Sequence, residues 1–147
     1  MEIKDVLNKK LMILDLQSSS KEDVVMELVK PLVKEGIVTE ESHFIKTVMD
    51  REAQSTTGIG MGIAIPHGKS SVVTEPSIVF GKSQKGIDYE ALDGEPSYIF
   101  FLIAVPENSD DQHLRVLSQL SRSLMSEEIR EKLLKATSEE EVLKAFQ

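Results

Sequence analysis

The sequence has no cysteine and no tryptophan, and aromatic residues make up only 5% of its 147 positions. Without cysteine there is no disulfide, no thiolate nucleophile and none of the commonest structural zinc sites, so covalent chemistry must fall to another side chain. No stretch approaches the roughly 20 apolar residues that a membrane span requires. The N-terminus, MEIKDVLNKK, has charges where a signal peptide carries its apolar segment, so a cytoplasmic chain is expected. Basic residues are the minority, 17 Lys and Arg against 25 Asp and Glu, for a formal net charge of -8. Such a balance disfavours a sequence-independent grip on nucleic-acid phosphates and suits a basic protein partner. Repeats and low-complexity linkers are also missing, and a 40% hydrophobic content at this length fits a single domain over residues 1–147.

Periodicity places the elements. Ser20, with Asp23 three residues on, reads as an acidic relative of the capping box, followed by Val24, Val25, Leu28 and Leu32 at helical spacing. Gly36 ends that helix, and Pro31 predicts a kink or an early stop. A short strand is expected before it at Leu11–Leu16. A second helix is predicted after Thr39, with Phe44, Ile45, Val48 and Met49 as its buried stripe and an end near Arg51–Ala53. Gln54–Gly62, QSTTGIGMG, reads as a loop, and Ile63–Ile65 as an extended segment entering Pro66 and His67. The apolar runs Ser77–Phe80 and Tyr98–Val105 are nearly continuous, as strands covered on both faces are. Gly86–Gly94 reads as a polar excursion between them. Ser109, Ser126 and Ser138 each open a helix with an acidic residue or glutamine in the first turn. The expected fold is therefore α/β, a mixed central β-sheet sandwiched by helices on both faces.

The chemistry concentrates in Gly58–Gly68, GIGMGIAIPHG. A dinucleotide site would need strand, glycines and then helix, because the helix N-terminus supplies the anion site; here the predicted order is helix, glycines, strand. The alternative is that the glycines allow close backbone approach while Pro66 fixes the chain before a presented imidazole, with Gly68 leaving His67 open on its C-terminal side. A histidine that merely caps a strand fits the local residues equally well. His113 shares a helical face with Leu117, Leu120 and Leu124, which suits either a satisfied, partly buried histidine or one that donates to an anion at the edge of the core. Arg51 follows Phe44 and Val48 towards the end of their helix. It is either an ordinary C-terminal cation or a bidentate clamp for phosphoryl oxygens. His43 aligns with Thr47 and Asp50 on the polar face and is assigned to solvent.

Glu52, Ile59-Gly60 and Ile63-Ala64-Ile65-Pro66-His67-Gly68 resemble the phosphorylation-site signature of phosphotransferase-system enzyme IIA proteins of the fructose/mannitol type. The resemblance runs through almost the whole chain and includes the Ser55–Gly60 loop, Gly86-Ile87-Asp88-Tyr89, and His113-Leu114 opening a helix. It implies a phosphoryl carrier that accepts phosphate on His67 from the phosphocarrier protein HPr. The carrier then passes it to a cysteine of a IIB domain for the uptake of fructose or a related sugar, and meets the membrane only through the IIC component. By position, His113 and Arg51 become the second histidine and the arginine of the site. Attack requires the neutral imidazole. Backbone N–H groups of the Thr57–Gly62 loop, including Gly58 and Gly60, with Thr56 and Thr57, are candidates to hold phosphoryl oxygens. Ile59 and Met61 are candidates for partner contact, and Ile63 reads better as core.

No cofactor or metal is implied. Two other readings stand beside the transport carrier. One is a regulatory paralogue similar to the nitrogen-related IIA proteins, which shares the motif. The other is a metal-dependent hydrolase using His67, His113 and Glu52, which lacks any paired ligand spacing such as HExxH.

Overall fold

The elements follow in the order α1 (Ile3–Val6), β1 (Leu7–Ile13), α2 (Lys21–Lys34), α3 (Glu41–Gln54), β2 (Gly58–Gly60), β3 (Ile63–Ala64), β4 (His67–Ser70), β5 (Ser77–Ile87), β6 (Ser97–Pro106), α4 (Asp111–Ser123), α5 (Glu127–Lys135) and α6 (Glu139–Lys144). They come from a computed structural model. It describes residues 3–109 and 111–147; the side chains of Lys4, Asp5, Asp111, Gln112, His113 and Leu114 lie outside the description. Among the described residues no helix is long and apolar enough to cross a membrane.

The strands form one mixed sheet in the order β1-β5-β6-β3-β2, with β4 also on β6. β5 and β6 pair antiparallel at its centre, whereas β1 on β5, and β3 and β4 on β6, are parallel. One face packs against α2 and α3 through Val24, Val25, Leu28, Leu32, Phe44 and Val48, meeting Val79, Phe100 and Leu102. The other face carries Ile78, Phe80, Ile99, Phe101 and Ile103 under Val116, Leu120, Leu124, Leu133 and Val142 of the C-terminal helices. Both faces are thus dry, which is why the central strands read as continuous apolar runs.

The helix starts behave as their sequence predicts at three serines. Ser20, Ser126 and Ser138 each accept a hydrogen bond from the backbone N–H three residues on. At the third, the Glu141 carboxylate also accepts from the backbone N–H and hydroxyl of Thr137, the residue before the cap. Several boundaries differ from expectation. α2 runs through Pro31 to Lys34, and α3 begins one residue late, with Glu40 as N-cap and Thr39 bonded instead to the Val72 carbonyl. β1 starts at Leu7 because it is an edge strand whose Asn8, Lys9 and Lys10 face solvent, so the polar residues mark an exposed side, not a break. β5 extends well past Phe80 to Ile87. The polar Lys82 is accommodated inside because its ammonium donates to the Ala136 carbonyl at the C-terminus of α5, at 2.8 Å. The Gly86–Gly94 segment is not wholly polar in its surroundings: Ile87 and Tyr89 are core residues, and Tyr89 stacks edge-on against Phe100. On α5 Leu133 is core, whereas its neighbour Leu134 is exposed.

The predicted glycine loop is in part a strand. β2 and β3 form a tight antiparallel hairpin whose tip, Gly60-Met61-Gly62, has positive φ throughout, 58° at Met61. A residue with a side chain in that region needs support from its surroundings. Asp93 provides it, accepting from the Met61 N–H at 3.0 Å with one oxygen and from Glu95 at 3.1 Å with the other. The preceding segment seals the hairpin's outer edge, since Leu92 N–H donates to the Gly58 carbonyl.

Two outcomes test this description. Gly86 has φ of +85°, and a Cβ there would lie 2.8 Å from the Tyr98 ring. Gly86→Ala should therefore cost about 1–3 kcal/mol in a urea unfolding experiment. Donation from the Glu95 and then the Met61 backbone holds the Asp93 carboxyl below its usual range. Its folded-state value lies below the unfolded one, so its support is present above the ordinary carboxylate range and is lost as pH falls through the folded value. The Met61 amide resonance should report that titration with a midpoint below those of exposed carboxylates, and Asp93→Ala should abolish it.

Candidate functional site

β3 and β4 lie end to end along the same side of β6, β3 opposite Ile99 and Phe100, and β4 opposite Ile103 to Pro106. Pro66 occupies the step between them, and its carbonyl accepts from Ile103 N–H at 2.9 Å. A proline is tolerated here because the sheet is interrupted on this line and its missing donor is not needed. β2 pairs with β3 alone, so the outer side of β4 has no strand neighbour among the described residues. His67 is the first residue of β4 and stands where the outermost strand ends.

The face it takes follows from strand alternation. A Cβ on Gly68 would lie 3.0 Å from the Phe44 ring and 3.1 Å from Val48, so that position faces α3. The glycine therefore serves close packing of α3 on the strand, not exposure of its neighbour. His67 consequently projects to the other face, beside its register partner Ile103 and on the side covered by α4. It is half-buried, and its Nδ1 lies 3.0 Å from the Ile65 carbonyl. A carbonyl oxygen only accepts, so Nδ1 carries the proton in this contact, and in the neutral ring the unprotonated nitrogen is Nε2.

The other candidates divide into those near this step and those away from it. Thr57 is beside it, since Ile65 N–H donates to the Thr57 carbonyl at 3.0 Å. Its own donors are taken: both the Thr57 N–H, at 3.0 Å, and its hydroxyl bond to Glu52. The Thr56 hydroxyl donates to the Tyr89 carbonyl and accepts from Gly58 N–H, each at 3.1 Å. Arg51 is half-buried at the end of α3, and one guanidinium nitrogen donates to the Ser55 carbonyl at 3.0 Å. Gly60 pairs with Ile63, four residues before His67, a separation of about 13 Å at the rise of an extended strand. Gly60 and exposed Met61 therefore belong to the hairpin tip, not to the surroundings of His67. Ile59 packs partly against the same helical layer that His67 faces, and Ile63 is fully in that core. His113 falls within α4, with its side chain outside the described residues. His43 is exposed, and among the described residues no three His, Asp or Glu side chains are grouped as metal ligands.

Glu52, which on sequence stood only in the signature and as a possible metal ligand, is the centre of a buried polar cluster with Lys21, Thr57 and Tyr89. Glu52 follows Phe44 and Val48 at intervals of four on the buried face of α3, and its side chain is only 2% exposed. Lys21, at the start of α2, meets it at 3.0 Å and also stands 4.9 Å from the centre of the Tyr89 ring. Burial, and then the adjacent Glu52 charge, push the Tyr89 phenol well above its ordinary range, so it remains neutral. The phenol oxygen has no hydrogen-bond partner of its own among the described residues. The interval of four from Val48 was the available signal that Glu52, more than Arg51, continues the buried stripe.

Residues 5–147 match the family described as "Phosphoenolpyruvate-dependent sugar phosphotransferase system, EIIA 2". The chain is 45% identical over 143 residues to the PTS system fructose-specific EIIABC component of Bacillus subtilis, covering 97% of itself but only 22% of that relative. It is 38% identical to the PTS system fructose-specific EIIA component of Haloferax volcanii, over 96% of this chain and 92% of the relative. Among solved structures, the nitrogen regulatory protein IIA-Ntr from Neisseria meningitidis superposes with a TM-score of 0.90 at 31% identity, over 99% of each chain. Extensive matching of sequence and fold together shows that this chain belongs to the EIIA type 2 family of the phosphoenolpyruvate-dependent sugar phosphotransferase system, a family of histidine-phosphorylated phosphoryl carriers.

Proposed function

We propose that His67 is the phosphoryl acceptor of this carrier and that it is phosphorylated on Nε2. The observation that carries the reading is the contact of His67 Nδ1 with the Ile65 carbonyl, which leaves Nε2 as the nitrogen with a free electron pair at an open strand edge. In the step proposed, that pair forms the new N–P bond while the bond to the donor nitrogen of phosphorylated HPr breaks and its electrons return to the donor ring. The reverse logic applies when a IIB cysteine thiolate takes the group onward. Such displacements ask the protein mainly for position and charge stabilisation. Arg51 has guanidinium donors beyond the one held by Ser55 and is proposed to meet the phosphoryl oxygens; His113, whose position falls within α4, is proposed as the second histidine of the site on the resemblance alone. Thr56, Thr57 and Gly58 contribute by shaping the turn, since their donors are held internally.

Fructose or a related ketose or polyol is the proposed substrate of the system, supported by the 45% and 38% identities to fructose-specific relatives. A second reading, in which phosphorylation state selects a regulatory partner, is favoured by the close superposition on a nitrogen regulatory protein. The two diverge at the second transfer: a transport carrier passes its phosphoryl group to a IIB cysteine, and a purely regulatory one does not.

Incubation with phosphorylated HPr should label the wild-type chain, with 15N–31P coupling at Nε2, and should leave His67→Ala unlabelled. Label on His67→Ala would refute the assignment. Arg51→Gln should slow acceptance by about a hundredfold, the scale for losing a charge-stabilising donor.

A further inference from the structure

The contact that sets the His67 tautomer is the last of a connected series that starts in the interior. Lys21 Nζ lies 3.0 Å from Glu52, and the two side chains are 14% and 2% exposed. Glu52 accepts from the Thr57 N–H at 3.0 Å with one oxygen and from the Thr57 hydroxyl with the other. The Thr57 carbonyl accepts from Ile65 N–H at 3.0 Å, and the Ile65 carbonyl accepts from His67 Nδ1 at 3.0 Å. Every member but the last is buried or nearly so, and in such surroundings a polar group without its partner is costly, which makes the series stiff. A carboxylate is specifically suited to the head of it. It offers two acceptor oxygens to two donors of one threonine while its charge is balanced by Lys21, whereas an amide offers one acceptor and leaves Lys21 only the exposed Glu90, at 3.2 Å, as an ion-pair partner.

We infer that Glu52 is a positioning residue for phosphoryl transfer: clamped by Lys21, it fixes Thr57 and thereby places the Ile65 carbonyl that keeps the His67 proton on Nδ1 and aims Nε2 outward. The inference rests on the reading of His67 as the acceptor. Glu52 touches neither the imidazole nor the phosphoryl group. Its effect therefore belongs to the ring's tautomer and orientation and to the rate of transfer, not to the affinity for the donor protein.

Two measurements on Glu52→Gln test it. In the unphosphorylated chain, 15N spectra of the imidazole should show the Nδ1–H form dominant in the wild type and mixed with the Nε2–H form in the variant. In transfer from phosphorylated HPr, kcat should fall about tenfold or more, the scale for a small misplacement of a reacting group, with KM within twofold. Thr57→Ser, which keeps both donors, should behave as wild type, whereas Thr57→Val should show part of the defect. If Glu52→Gln does not fold, Lys21→Met/Glu52→Gln, which leaves no buried charge unpaired and frees only the exposed Glu90, is read in the same way. A folded variant with the wild-type tautomer and the wild-type kcat overturns the proposal. The spectra require no phosphorylation, so failure of the positioning role is distinct from failure of the acceptor reading, which would appear as label on His67→Ala.

Discussion

A carboxylate held out of water is the constraint on which this architecture turns. Glu52 is drawn into the core by the same helical repeat that buries Phe44 and Val48, and a charge so placed must be matched or it destabilises the fold. Lys21 and Thr57 match it, and in doing so they join the start of α2, the end of α3 and the entry to β2. Two stretches distant in sequence, the start of α2 and the α3–β2 connection, meet at one side chain. The chain leaving α3 has no regular element between Ser55 and Thr57, and it owes its path to this contact and to the Thr56 hydroxyl.

The sheet does the rest by being incomplete. A proline and a short outer hairpin interrupt the line of pairing along β6, so that one strand position combines the rigidity of a sheet with an uncovered side. A loop histidine would be open but mobile, and a central-strand histidine fixed but covered. His67 occupies the intermediate case, which suits the acceptor role proposed for it.

Much of this was legible in the residues because local rules and tertiary demands agree. The serine caps, the helical stripes of α2 and α3, the doubly covered strands and the Pro-His step all carry short-range signals. What escaped were features decided by partners far away in sequence. Lys82 lies in a strand because a helix carbonyl is waiting for it, 54 residues on. Tyr89 is core although it sits among acidic residues, because Phe100 receives its ring. Gly68 illustrates the same point, since the residue reads as open space beside a histidine and is instead the contact point of α3. Gly60 escaped for a local reason: it reads as a loop glycine, and its pairing with Ile63 instead makes it part of a tight hairpin tip.

The free edge of β4 also limits the order of events. With β6 on one side of the strand, α3 packed on one of its faces and the imidazole turned towards the helical layer of the other, approach to Nε2 is confined to a narrow sector. Donor and acceptor proteins would then compete for one doorway, and neither could wait in place while the other was docked. Turnover in the proposed transfers would proceed by alternating visits, so the lifetime of the phosphorylated, unvisited histidine would matter as much as the affinity for either visitor.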